Sequence, residues 1–444
     1  MPQPHGPVRP MHPLRYAIGF FGMSIPINLS NSQRAFFYVD VLGMNGSVLA
    51  AVMVLYALID VVDNPFYGWL SDRTRSRWGR RRPWLVLGAP VLGIAVWCLF
   101  SPPQALTGAA LVVWFAVFAV LTETFDSLIS SSYGALLPEA FPDERRRALA
   151  NSARQGFQLV AMMLSVALTP LITQTIGYST TALLFGILGA AAIMLTGFGV
   201  REDLSLLPEQ QAPLWVSVKA IVSYPAFWSI GIASGLYSAG MALVVATVQF
   251  FVRYGLRRPA ADATFLLVAV MVTSTLLLVA WTVPVRRYGP VPVWRTALAV
   301  LAASLSGLLL VDSLGAAIAV GCLVGTGFAG VMATIDLIVA RLLDADRSRT
   351  EVHREAMFLT AFSFFNRLAQ VTQALAFLLA DRWFGFRSGD DPGPNPGLAA
   401  RFMTAGLPVV FVTAALVVAC LVRIPRSEPL DGSSGAGRTA PARS

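Results

Sequence analysis

Asp60, Asp63 and Asn64 stand at positions i, i+3 and i+4 of an apolar run that ends at Pro65. On a helix this spacing puts three oxygen-bearing side chains on one face, with Cβ atoms ~5–6 Å apart. Two neighbouring carboxylates in a low dielectric do not both ionise without cost. A bound Na+ relieves the repulsion, and so does a proton on one of the acids. Either way the charge state of the site follows the supply of a cation. A second reading stays open: one acid pairs with an arginine such as Arg154 and only fixes helix packing.

The elements that must hold these acids are membrane helices. Of 444 residues, 56% are hydrophobic and only 13% charged, where a soluble domain carries about 25% charged residues. Mean hydropathy is +0.65. The formal charge of +9 is almost wholly arginine, since Lys219 is the single lysine. Arginine held in loops acts as a topology signal and contacts anionic lipid, so the lipid bilayer is the expected large partner. Without a continuous basic face interleaved with aromatics, nucleic acid is not one. Cys98, Cys322 and Cys420 lie in apolar stretches with no metal-ligand spacing. The three histidines, His5, His12 and His353, fall outside the apolar runs, so an intramembrane proton relay would have to use carboxylates. With no serine–histidine pairing and no GxxxxGK loop, neither an enzyme nor an ATP-driven pump is expected, and no cofactor beyond a coupling ion, Na+ or H+.

A spanning helix needs about 20 mostly apolar residues. Such runs predict about twelve, near 14–38, 46–70, 83–101, 107–132, 150–174, 179–199, 222–252, 262–283, 292–311, 314–341, 356–381 and 402–423. Arginine-rich loops at 71–82, 142–149, 201–204, 286–295 and 341–354 alternate with connections near 102–106, 174–178 and 312–314 that carry no Lys or Arg. This alternation puts both termini in the cytoplasm of a multi-pass protein of the cytoplasmic membrane. Arg253, Arg257 and Arg258 fall on the outer side and break the pattern. The proline-rich start is not a cleavable signal peptide.

An internal repeat is present. RSRWGRRRPW (75–84) and RRYGPVPVW (286–294) occupy matching places, as do PDERRRALANSAR (142–154) and DADRSRTEVHREAMF (344–358). The expected plan is a cytoplasmic tail (1–13), a six-helix half (14–200), a linker (201–221), a second six-helix half (222–424) and a disordered tail (425–444). Two pseudo-symmetric halves with a site between them is the plan of secondary transporters.

Three motifs resemble one family. They are DVVDNPFYGWLSDRTRSRWGRRRPW (60–84), SSYGALLPEAFPDERRRALANSARQGF (131–157) and TEVHREAMFLTAFSFFNR (350–367). The chain is similar to the glycoside–pentoside–hexuronide:cation symporters, the melibiose-permease-like branch of the major facilitator superfamily. The resemblance implies the all-α major facilitator fold, a monomer as working unit, and a small sugar-like solute as partner. It also implies a cation site at Asp60, Asp63, Asn64 and Ser127, with the acid and amide exchanged relative to the family's order. The same comparison places solute contacts at Ser24, Ser130, Tyr133, Arg154 and Arg367. Ser24 and Ser130 stand where the family has sugar-binding acids, which weakens the expectation of a galactoside. Asp72, Arg73, Arg80, Arg145, Arg354 and Glu355 match cytoplasmic gate positions. Glu123 and Asp126 are additional acids, either solvated near the outer end or contributing to the ligand site.

These readings make the chain a cation-coupled symporter of a sugar, glycoside or related solute, working by alternating access. The alternatives are an uncoupled uniporter or exchanger of a non-sugar solute, and a non-transporting membrane sensor.

Overall fold

The computed structural model describes the backbone of residues 11–55, 74, 76, 78–79, 81–141, 143–199, 225–350, 355–387 and 389–422. Side chains at 135, 138–139, 144, 148, 343–363 and 366–370 lie outside the description. The described chain is helical. The elements are α1 (Pro13–Phe36), α2 (Gly46–Leu55), α3 (Arg82–Leu99), α4 (Gly108–Ala140), α5 (Glu144–Met162), α6 (Thr169–Ile176) and α7 (Tyr178–Gly199). They continue with α8 (Pro225–Phe250), α9 (Ala263–Tyr288), α10 (Pro290–Leu308), α11 (Leu314–Thr350), α12 (Glu355–Phe384), α13 (Pro396–Arg401) and α14 (Leu407–Leu421).

Local chemistry explains where several helices start and bend. His12 caps α1 by accepting the Leu14 N–H on Nδ1, with Pro13 at the first helical position. Asp143 caps α5 by accepting the Arg146 N–H at 3.0 Å. Gly177 and Gly289, at φ 81° and 84°, make the tight reversals into α7 and α10. Between α5 and α6 the chain passes through a π-turn (Met163–Ala167) and bends by 49° ahead of Pro170. There the Ser165 and Thr169 hydroxyls donate to the carbonyls of Ala161 and Ser165, at 2.6 and 2.9 Å.

Among the described residues, eight helices are long and apolar enough to cross a membrane, and the bent pair makes up to nine. α1, α2 and α12 are further helices outside that set, so the count of about twelve is not reached by this measure. Two expected loops are helical instead. The 142–149 segment enters α5 at Glu144, and the 341–354 segment continues α11 to Thr350. The helical parts, 144–149 and 341–350, are rich in Arg, Leu and Ala and lack Gly and Pro, so helix propensity overrides their charge.

The halves pack alike. α1 lies against α7 and α5, and α3 against α7 and α4. In the second half α8 lies against α14 and α12, and α10 against α14 and α11, the same four pairings. Close approach of backbones sets the first group. A Cβ on Gly186 would stand 2.8 Å from the Gly93 carbonyl oxygen, and one on Gly189 would stand 2.7 Å from that of Gly22. Small residues at such crossings let helices pack without a hydrophobic drive in lipid. Gly186→Leu is therefore expected to cost ~1–3 kcal/mol of overpacking. It should appear as a lowered melting temperature of the detergent-purified protein; an unchanged value would mean that α3 and α7 separate freely.

Candidate functional site

The ends of α1 and α8 carry a local repeat finer than the loop motifs. Phe36-Phe37-Tyr38-Val39-Asp40 and Phe250-Phe251-Val252-Arg253-Tyr254 each pass into a π-turn, Phe37–Val41 and Phe251–Gly255. Leu42 N–H donates to the Phe37 carbonyl at 3.0 Å, and Leu256 N–H to that of Phe251 at 2.9 Å. Met44 N–H reaches the Tyr38 carbonyl at 2.8 Å, and Arg258 N–H that of Val252 at 3.0 Å. Both turns close on a left-handed residue, Gly43 (φ 68°) and Arg257 (φ 54°). A non-glycine residue there is strained, which marks a turn retained for its geometry.

These two turns meet. The Asp40 carboxylate, with no exposed surface, accepts from the Arg253 guanidinium and from the Tyr254 hydroxyl, the latter at 2.6 Å. Phe36 and Phe250 pack edge to face beside it at 5.1 Å. Backbone ties extend the seal: Gly389 N–H donates to the Val39 carbonyl (2.8 Å) and Gly46 N–H to that of Arg387 (2.7 Å). Leu171 N–H donates to the Thr264 hydroxyl at 3.1 Å. These contacts join the first half to the second at the ends of α1, α8 and α12 and between α6 and the start of α9, the face opposite the start of α1 and the end of α14. The arginine that breaks the sequence pattern, Arg253, is thus a partner of Asp40. Spacing alone did not reveal this, because 213 residues separate the two. The FFYVD and FFVRY likeness was the signal available.

Further into the bundle lie the described residues expected at the solute site. The Arg154 guanidinium of α5 sits 4.9 Å from the centre of the Phe20 ring. Ser24 lies one turn further along α1 and is half-buried, as is Ser130 on α4. Ser127 is buried. Tyr133 is placed differently from the expected solute contact. Its ring stacks on Tyr16 at 4.4 Å, its hydroxyl donates to the Tyr16 carbonyl at 2.6 Å, and it is 2% exposed. Ring and hydroxyl are both engaged in α1–α4 packing.

Glu123 is not solvated. It is buried and pairs with the buried Arg34 of α1 at 3.6 Å. Arg145 is exposed near the α5 start. Asp60, Asp63, Asn64, Asp72, Arg73, Arg80 and Arg354 lie outside the described residues, as do the side chains of Glu355 and Arg367. One acid was missed altogether: Asp336, exposed on α11 within the apolar span Leu314–Leu342. The apolar run around Asp336 masked it as an ordinary span, although an ionisable group at that depth is itself a functional signal.

Residues 15–426 match the family described as MFS/sugar transport protein. The chain belongs to this family. It is a membrane transporter of the major facilitator type and not an enzyme. Among the relatives of this MFS chain is the isoprimeverose transporter of Lactiplantibacillus pentosus, 25% identical over 79% of this chain and 75% of the relative. The putative 2,3-dihydroxypropane-1-sulfonate exporter of Escherichia coli (strain K12) is 24% identical over 82% and 80%. The crystal structure of the nucleoside transporter NupG superposes with a TM-score of 0.67 over 91% of this chain and 98% of NupG. At 12% identity that likeness is one of fold.

The seal generates a direct expectation for this MFS transporter. Asp40 is buried while the Arg253 side chain is 45% exposed, so the pair's hold comes from satisfying the buried acid, and losing either group weakens the state that contains it. Asp40→Asn and Arg253→Ala should both open the sealed face. In a cysteine-free background carrying Gln249→Cys, a position 3% exposed beneath the seal, a membrane-impermeant thiol reagent added to that face should label at least ~5-fold faster with either change. Equal labelling would show that the pair does not hold the halves together.

Proposed function

We propose that this protein is a cation-coupled symporter that carries a neutral, sugar-like solute across the cytoplasmic membrane by alternating access, as a monomer with both termini in the cytoplasm. The single observation that carries the reading is a charge clasp that closes one face between the two halves. Asp40 ties the halves together at the face away from the described chain ends. On this reading the described conformation is sealed outside, and the two halves, 14–200 and 222–424, move about the site between them.

Coupling rests on Asp60, Asp63 and Asn64 with Ser127. Two acids and an amide on one helix face favour a bound Na+ or a proton over the empty, doubly ionised state. The cytoplasmic gate residues Asp72, Arg73, Arg80, Arg145, Arg354 and Glu355 would tie the inner ends together when the clasp opens, and Arg367 would add a second cationic contact to the solute. The name of the isoprimeverose transporter supports a sugar-like solute.

Proteoliposomes provide the test. A ten-fold inward Na+ or proton gradient, ~1.4 kcal/mol of driving force, is expected to raise the initial uptake of a transported saccharide several-fold. Asp60→Asn and Asp63→Asn should each abolish that acceleration. Uptake that ignores both gradients would make the protein an uncoupled carrier, and binding without flux would make it a sensor.

A further inference from the structure

α3 and α7 cross at two glycines, and a groove runs over the crossing. A Cβ on Gly93 would stand 2.9 Å from the Gly186 carbonyl oxygen, so the backbones are in contact there. The groove has a volume of about 360 Å³, within the range of small-ligand sites. Its walls are almost wholly apolar, with Pro90 and Ile94 from α3 and Ile187, Ala191 and Met194 from α7. Ile94 and Ile187 are exposed, and both helices are long and apolar enough to cross a membrane. The groove therefore opens on hydrocarbon and not on water.

The two ends of the groove differ. At one, the hydroxyls of Ser101 and Ser179 meet at 2.6 Å and close the crossing. At the other, two arginines reach the end of α7. Arg15 of α1 donates through Nε to the Leu195 carbonyl at 3.0 Å, beside the groove-lining Met194. That bond uses one of the five N–H donors of a guanidinium. The Arg82 guanidinium lies over the Phe198 ring at 5.7 Å, one turn beyond Met194. At the matching crossing of the second half, Arg295 of α10 instead spends two nitrogens on α14, on the carbonyls of Ala419 and Val422 at 2.9 and 2.8 Å.

We propose that this groove binds one anionic phospholipid, with an acyl chain over Gly93 and Gly186 and the phosphate at Arg15 and Arg82. Guanidinium groups match phosphate oxygens in geometry and charge, and basic pockets between membrane helices hold anionic head groups. Phe198 and Gly186 are twelve residues apart on α7, about 18 Å along the helix. That is a little over half of the ~30 Å hydrocarbon core, so one extended chain from the arginine level reaches the glycine crossing. Left empty, the slot would forfeit dispersion contacts along its walls. A second copy of this chain suits the groove less well. A two-fold axis along the membrane normal would bring the same arginines of both copies together at one end.

Native mass spectrometry of the full-length, detergent-purified protein tests the site, with dioleoylphosphatidylglycerol and dioleoylphosphatidylcholine as probes. One phosphatidylglycerol per protein is expected to bind at least ten-fold more tightly than phosphatidylcholine. Arg15→Gln and Arg82→Gln should each weaken the anionic lipid about five-fold, the scale of one basic residue at a lipid surface, and leave phosphatidylcholine unchanged. Ala191→Phe, which fills the apolar part of the groove, should weaken both lipids. Arg82→Gln and Ala191→Phe carry the test if Arg15→Gln, which also loses its bond to α7, lowers the melting temperature. Equal affinity of the wild type for the two lipids overturns the proposal, as does phosphatidylglycerol binding by folded Ala191→Phe within two-fold of wild type. A wild-type dimer that Ala191→Phe disperses would assign the groove to a second copy and overturn it too. None of these readouts involves solute flux, so transport and lipid binding stand or fall separately.

Discussion

The Asp40 carboxylate is the interaction on which the described arrangement depends. A carboxylate with no exposed surface is expensive unless it is paired and hydrogen-bonded. Asp40 obtains both only when α8 from the second half is docked, because Arg253 and Tyr254 are its partners. The cost of burying it is therefore offset only in the closed arrangement. Phe36 against Phe250, and Phe250 against Phe377 and Phe386, cover the Asp40 side of the pair, while the Arg253 side chain remains 45% exposed. Low dielectric around the carboxylate penalises the loss of its partners.

The clasp is also a product of the internal repeat. Two helix ends of like sequence, turning through like π-turns, arrive at the interface from opposite halves. Residues five positions into each motif, Asp40 and Tyr254, occupy equivalent places and meet there. A symmetric pair of side chains could not make a charge-assisted contact with itself. The two copies differ here, with an acid in one and a phenol beside an arginine in the other, which makes the repeat complementary. Arg257, at φ 54°, keeps the turn shape that Gly43 adopts without strain in the first copy.

Membrane class, helical fold and family were legible in composition, arginine alternation and three long motifs, because each depends on many residues together. The clasp was not legible. It depends on pairing over 213 positions, and arginine counting treats Arg253 only as charge on the wrong side. Tyr133 shows a second limit of sequence reading. A tyrosine in a site motif suggests ring stacking on a solute, and spacing does not show that its ring stacks on Tyr16 of α1. Glu123 was ambiguous for a definite reason: one turn of helix decides between solvent and interior, and Arg34, the partner that decides it, lies on another helix.

The clasp constrains how the proposed cycle can run without a deep energetic trap. At the sealed face the acid comes from the first half and the arginine from the second. A carrier whose two end states are to differ by only a few kcal/mol needs opposite charges to meet elsewhere when this face opens, because parting the Asp40 carboxylate from its partners with nothing formed in return would cost about as much as the entire difference. The hydrophobic core cannot provide that balance, since apolar contacts carry no sign. Charges on both halves can.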